Sequence, residues 1–198
     1  MTGAMTATEL RARLGRCCAA RSWVDAMVAS APWRDRDELL RAGEDAFDRF
    51  ERADWLDAFA GHPRIGDLEA LRSRFGSASA SESASESASE SASESESAGA
   101  DAGALELAGR EQAAAARAPE AVLRALAEGN ARYDRRFGHL FVVFATGKSA
   151  QEMLGLLEER LGNDPDHELR IAAGEQRKIT HRRLADDAAR ILVAGEDA

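Results

Sequence analysis

Apolar positions recur at spacings of three and four along most of this chain, and that period predicts helices. Thr6 or Thr8 can cap a first helix running to about Cys18 and Ala19, and Trp23 to Ala29 carries Val24, Met27 and Val28 in a second. Ala31-Pro32-Trp33 interrupts the pattern. Asp35 to Phe50 reads as an amphipathic helix with Leu39, Ala46, Phe47 and Phe50 on one stripe. Gly43 lies on that stripe, where it allows a neighbour to approach closely. Asp54 is the expected N-cap of a helix that stops at Gly61, and Leu68 to Phe75 is a further short helical piece.

The second half resumes the same spacing. Leu105 to Arg117 is expected to be helical, and Pro119 suits the first turn of a helix through Leu123 and Leu126 to about Arg136. The run from Gly138 to Ala145 is rich in β-branched and aromatic residues, but with no strand to pair with it reads as a buried loop. Ser149 and Glu152 form a capping-box pattern opening a helix to Leu161, with Gly162 as its stop. Asp164 caps the last helix, with Pro165 at its first position. Its stripe of Leu169, Ala172, Ile179, Leu184, Ala188 and Ile191 continues past Gly174 to about Val193. The expected fold is all-α, a compact single-domain helical bundle over residues 1–198.

One stretch breaks the pattern. From Ser77 to Gly103 the chain is mostly serine, alanine, glutamate and glycine. It has no large side chain to bury, so 77–103 is expected to be a disordered insertion loop without a catalytic role.

Composition narrows the functional classes. A formal net charge of −9 over 198 residues argues against a general affinity for nucleic acid, which needs concentrated basic surface. No apolar run approaches the ~20 residues of a membrane span, and no leader pattern opens the chain. Its two cysteines, Cys17 and Cys18, are adjacent and lack a distant partner, so a cytoplasmic, reducing setting is expected. Phosphate-binding glycine loops, zinc spacings and dinucleotide fingerprints are absent. Neither a cofactor nor a metal is expected.

Chemistry must then come from side chains alone. His62 follows the helix stop at Gly61 and precedes Pro63, which disfavours α geometry at the residue before it. An imidazole is thereby set at a corner, with its nitrogens available to something other than its own backbone. Other candidates are Glu111 and Gln112 on an alanine-rich helix, the peptide amides of 138–143, and an arginine late in the chain. Arg183 falls at the edge of the last apolar stripe, where burial would demand a carboxylate or an anionic ligand. Each has a plainer reading as a surface or capping group.

Taken in order, these segments resemble one family. DWLDAFAGHPRIGD (Asp54 to Asp67), REQ (Arg110 to Gln112), Asn130 to Tyr133, FGHLFVV (Phe137 to Val143), GKS (Gly147 to Ser149), RLGNDP (Arg160 to Pro165), Glu168-Leu169 and Ile179 to Leu184 follow the order of the 2-oxo-4-hydroxy-4-carboxy-5-ureidoimidazoline (OHCU) decarboxylases. These are cofactor-free, all-helical enzymes of urate degradation. The resemblance implies that His62 is catalytic, held by Pro63, and that Glu111 acts with it. It implies substrate contacts from Gln112, from the backbone at Val142 and Val143, and from Arg183, with Arg182 the alternative if the register slips by one. The position of Ala108 is usually serine in the family; alanine there removes a hydrogen bond worth ~0.5–1.5 kcal/mol. The implied partner is a small-molecule substrate, and relatives suggest a homodimer. Readings from other classes are a non-catalytic helical binding module and a paralogue acting on a related ureido-imidazoline.

Overall fold

The computed structural model describes residues 6–62, 68–75 and 120–192, apart from the side chains of Ala70 and Arg74. The expected helix Leu105–Arg117, the 77–103 tract and the site candidates Pro63, Ala108, Glu111 and Gln112 lie outside the described residues. Among the described residues there are eight helices and no strand. They are α1 (Ala7–Cys17), α2 (Arg21–Ser30), α3 (Arg36–Asp45), α4 (Arg52–Ala60), α5 (Leu68–Phe75), α6 (120–137), α7 (Ala150–Arg160) and α8 (Pro165–Leu192). The all-α expectation holds, and residues 140–145 form the loop that the unpaired apolar run predicted.

Most termini follow the local chemistry. Thr6 caps α1 in a reciprocal box with Glu9, Asp35 accepts from the Glu38 amide, and Ser149 forms the expected box with Glu152. Asp164 accepts from the Asp166 and His167 amides ahead of α8, with Pro165 at its first position. Two expectations are corrected. Asp54 is not the N-cap of α4: that residue is Glu51, and Asp54, three positions on, accepts from the Glu51 amide at 2.9 Å. α3 ends at Asp45, and residues 46–49 are turns. Those turns let Phe47 and Phe50 close an aromatic group with Trp55, Phe47 stacking on Trp55 at 5.2 Å between ring centroids. A straight helix would not require that bend.

The chain divides into two compact units, one drawn from Met1–Arg64, Tyr133–Thr146 and Gly162–Ala198, the other from Ile65–Arg132 and Gly147–Leu161. In the first, α8 packs against α3 and α1, and α1 packs against α2. Its core is Leu14, Trp23, Met27, Leu39, Phe47, Phe59, Val142, Leu184 and Ile191 with their smaller neighbours. Gly43 permits the α3–α8 contact, because a Cβ there would lie 2.7 Å from Leu184 Cδ2. The Trp23 indole donates to the Gly43 carbonyl at 2.9 Å, so the same close approach leaves no buried indole N–H unpaired.

In the second unit Leu71, Leu123, Leu126, Met153 and Leu157 are buried. Gly129 meets the Leu157 side chain, and Arg72 forms an ion pair with Glu120. None of the helices among the described residues is long and apolar enough to cross a membrane.

Candidate active site

His62 is positioned by packing between helices. Asp57 on α4 accepts the Arg21 amide at 3.1 Å, capping α2 from outside, because Ala20 at the N-cap position has no oxygen to do so. That bond ties the two helices together. The chain then leaves α4 through Gly61, whose backbone is right-handed (φ −73°). Glycine is needed here for space: a Cβ would fall 2.3 Å from that of Ala19, in the corner between α1 and α2. The next residue is His62, whose amide donates to the Phe59 carbonyl at 3.1 Å.

The imidazole is half-buried, and its Nε2 lies 2.6 Å from Oε1 of Gln176 on α8. The amide nitrogen of Gln176 donates to Thr180 Oγ1 at 3.0 Å. Gln176 and Thr180 are both fully buried, at 0% and 1% exposure. The Thr180 hydroxyl reaches Cys18, whose sulfur also meets the Ala20 backbone N–H; burial pushes that thiol up to about 11. His62 is shifted the other way. Burial lowers its pKa, the Gln176 hydrogen bond opposes that, and the Arg183 charge lowers it further. The neutral ring is therefore favoured near pH 7.

A cavity of about 350 Å3 opens beside the ring, lined by Leu56, Phe59, Ala60, Asp134, His139 and Leu140 among others. His139 is buried against Phe59 and Tyr133, and its Nδ1 faces the Leu140 carbonyl at 3.0 Å.

The remaining candidates fall as follows. Val142 and Val143 are buried on the 140–145 loop, which is held to α8 by the Phe144 amide donating to Glu175 at 2.6 Å. Arg183 is half-buried and sits where the stripe edge placed it, but its hydrogen-bond partners among the described residues are backbone carbonyls rather than a carboxylate. Its guanidinium lies 3.4 Å from the carbonyl oxygens of Arg16 and Cys17, at the C-terminal end of α1, where unpaired carbonyls carry partial negative charge. It lines a second cavity, of about 450 Å3, with Arg13, Arg16, Asp186, Asp187 and Arg190. Thus His62 and Arg183 interact electrostatically but line different described cavities. Arg182 is exposed and paired with Asp186 on its own helix at 2.8 Å.

Sequence reasoning missed Gln176, Thr180, Asp134 and His139 as neighbours of this ring. A signal existed for the first two. Ala172, Gln176, Thr180, Leu184 and Ala188 recur every four residues on the buried face of α8, so two polar side chains stand in an otherwise apolar row.

Comparisons with known proteins agree with one another. A family profile described as OHCU decarboxylase matches residues 3–106 and 95–185. The uric acid degradation bifunctional protein TTL of Arabidopsis thaliana is 32% identical over 85% of this chain and 44% of its own length. The 2-oxo-4-hydroxy-4-carboxy-5-ureidoimidazoline decarboxylase of Amia calva is 46% identical over 29% of this chain and 33% of its own. The matches therefore span less than half the length of these curated relatives. A crystal structure of OHCU decarboxylase in the presence of (S)-allantoin superposes with a TM-score of 0.59 at 29% identity, covering 87% of this chain and 94% of that one. A crystal structure of (S)-allantoin synthase, at 15% identity and a TM-score of 0.54, shares the fold over 91% of this chain and 50% of its own. With a family profile that spans nearly all of its length, the chain belongs to the OHCU decarboxylase family.

Proposed function

We propose that this protein decarboxylates OHCU to (S)-allantoin and CO2, without a cofactor, in urate degradation, and that His62 is its catalytic base. The observation that carries the assignment of the base is the environment of His62. A half-buried imidazole with one nitrogen anchored and its pKa lowered is neutral, and so able to accept a proton, near pH 7.

The substrate carries a carboxylate and a hydroxyl on one ring carbon beside a C=N bond. As the C–CO2 bond breaks, its electron pair passes toward that C=N unit, so the molecule supplies its own electron sink. The hydroxyl loses its proton and becomes a carbonyl, the ring nitrogen that received the pair takes up a proton from solvent, and a further proton is delivered to one face of the ureido-bearing carbon. His62 takes the hydroxyl proton. Glu111 holds the ring, Gln112 and the amides at Val142 and Val143 bind the ureido and ring oxygens, and Arg183 draws the carboxylate. Pro63 fixes the corner, and Ala108 leaves one substrate hydrogen bond to water. The free, buried thiols of Cys17 and Cys18 suit a reducing cytoplasm.

Freshly generated OHCU tests the assignment. An enzyme accelerates its loss and yields the circular-dichroism signal of (S)-allantoin. A binding module leaves the spontaneous rate and a racemic product.

A further inference from the structure

The polar row on α8 ends on the one histidine to which the proposed reaction assigns a proton transfer. From that juxtaposition we infer that Gln176 is a positioning residue: its amide holds Nε2 of His62 and commits Nδ1 to the substrate. The inference rests on the decarboxylase reading for its chemistry, but its geometry stands apart from that reading.

The direction of the hydrogen-bond chain follows from its far end. Cys18 sulfur meets the Ala20 backbone N–H and the Thr180 hydroxyl, and at neutral pH a thiol is a far poorer donor than a hydroxyl. Thr180 therefore gives its proton to Cys18 and offers a lone pair to Gln176. The Gln176 amide must then present its NH2 group to Thr180, at 3.0 Å, and its oxygen to His62, at 2.6 Å. An amide oxygen can only accept. The neutral imidazole is thus held with its proton on Nε2 and its lone pair on Nδ1. Among the described residues Nδ1 has no hydrogen-bond partner, and the ring borders the cavity of about 350 Å3.

Burial makes the arrangement selective. Reversing the neutral ring's tautomer would set the buried Gln176 oxygen against a bare nitrogen, or would require the amide to flip and strand the Thr180 contact. Other titratable groups around the ring are Arg183 on α8, Asp134 on α6, His139 in the loop and Cys18. Among the described residues the hydrogen-bond partner of Nε2 is Gln176, so the tautomer falls to it.

The test uses the full chain. Long-range proton–nitrogen NMR of the histidine rings, with His62 assigned by its loss in His62→Ala, reads tautomer and midpoint without substrate. The wild type is expected to show the Nε2–H form. Gln176→Leu should lose that preference, and Gln176→Glu, which keeps the shape, should raise the His62 midpoint by about 1–3 units. On OHCU, Gln176→Leu should lower kcat about 10–100-fold with KM within about twofold, as tautomer errors do in other base-dependent sites. Gln176→Glu should move the acid limb of the rate profile upward by the same shift as the NMR midpoint. An Nδ1–H tautomer in the wild type, or unchanged His62 resonances in both variants, overturns the inference. If the wild type leaves OHCU at its spontaneous rate, the decarboxylase reading fails, and the resonances still decide the role of Gln176.

Discussion

Two polar networks are buried on α8, and they are built differently. Near its start, Glu168 is fully buried, with one carboxylate oxygen taken by the Tyr133 hydroxyl and the other by the Asn163 amide at 2.7 Å. Arg136 donates to the Asn163 carbonyl at 2.9 Å, which secures the residue that secures the carboxylate. Two turns further along, Gln176 and Thr180 form a row of the same length, but it ends on a half-buried imidazole beside a cavity. The Glu168 cluster closes on protein at every oxygen described. The Gln176 row does not. A closed network fixes the register of helices, whereas an open-ended one delivers a fixed group to something outside the protein.

The largest effect expected from breaking the comparison is at the open end. His62→Ala should lower kcat/KM for OHCU about 10²–10⁴-fold, the usual contribution of a positioned base, and should lose stereoselectivity while the helical circular-dichroism signal stays. Tyr133→Phe attacks the closed network and should behave oppositely. It leaves a buried carboxylate oxygen one donor short, at a cost of about 1–3 kcal/mol in thermal or denaturant unfolding, with activity per folded molecule unchanged. A variant of either network that reversed these outcomes would erase the distinction.

Arg183→Gln separates charge from structure. Losing the guanidinium should raise KM about tenfold if it draws the substrate carboxylate, and should raise the His62 midpoint because Arg183 now lowers it. Steady-state kinetics and ring titration on the same sample read both.

The smallest effect is pH dependence. Burial, with Arg183 assisting, sets the folded His62 pKa below its unfolded value near 6.5, so the native ring binds fewer protons than the unfolded one. His62 therefore opposes folding only as pH falls below about 6.5, and its neutral form is fully populated above that. The acid limb of kcat/KM should lie below pH 6.5, and the gap between the unfolding midpoints of wild type and His62→Ala should change with pH only on that acid side.

Much of this was legible in the residues. Helix spacing, the Thr6, Ser149 and Asp164 caps, and the close approach at Gly43 are local signals, and local chemistry decides them. Asp54 was misread because a carboxylate at the cap position and one three residues later leave the same mark; only the hydrogen bond to the Glu51 amide tells them apart. Gln176 could be seen as a polar residue in an apolar row, but not as the partner of a histidine 114 positions away. Gly61 looked like a helix stop by conformation, and its actual requirement, the Ala19 side chain, comes from a different helix corner. Long-range pairing was the part that no spacing rule could supply.

The central claim of the proposed function is that His62 meets the substrate through Nδ1 while Gln176 holds Nε2. A crystal structure of this chain grown with (S)-allantoin tests it most directly. The account predicts ligand density against Nδ1 of His62, in the cavity of about 350 Å3 that the ring borders. Density that settles away from His62, or that meets the ring with Nε2 released from Gln176, would contradict the account.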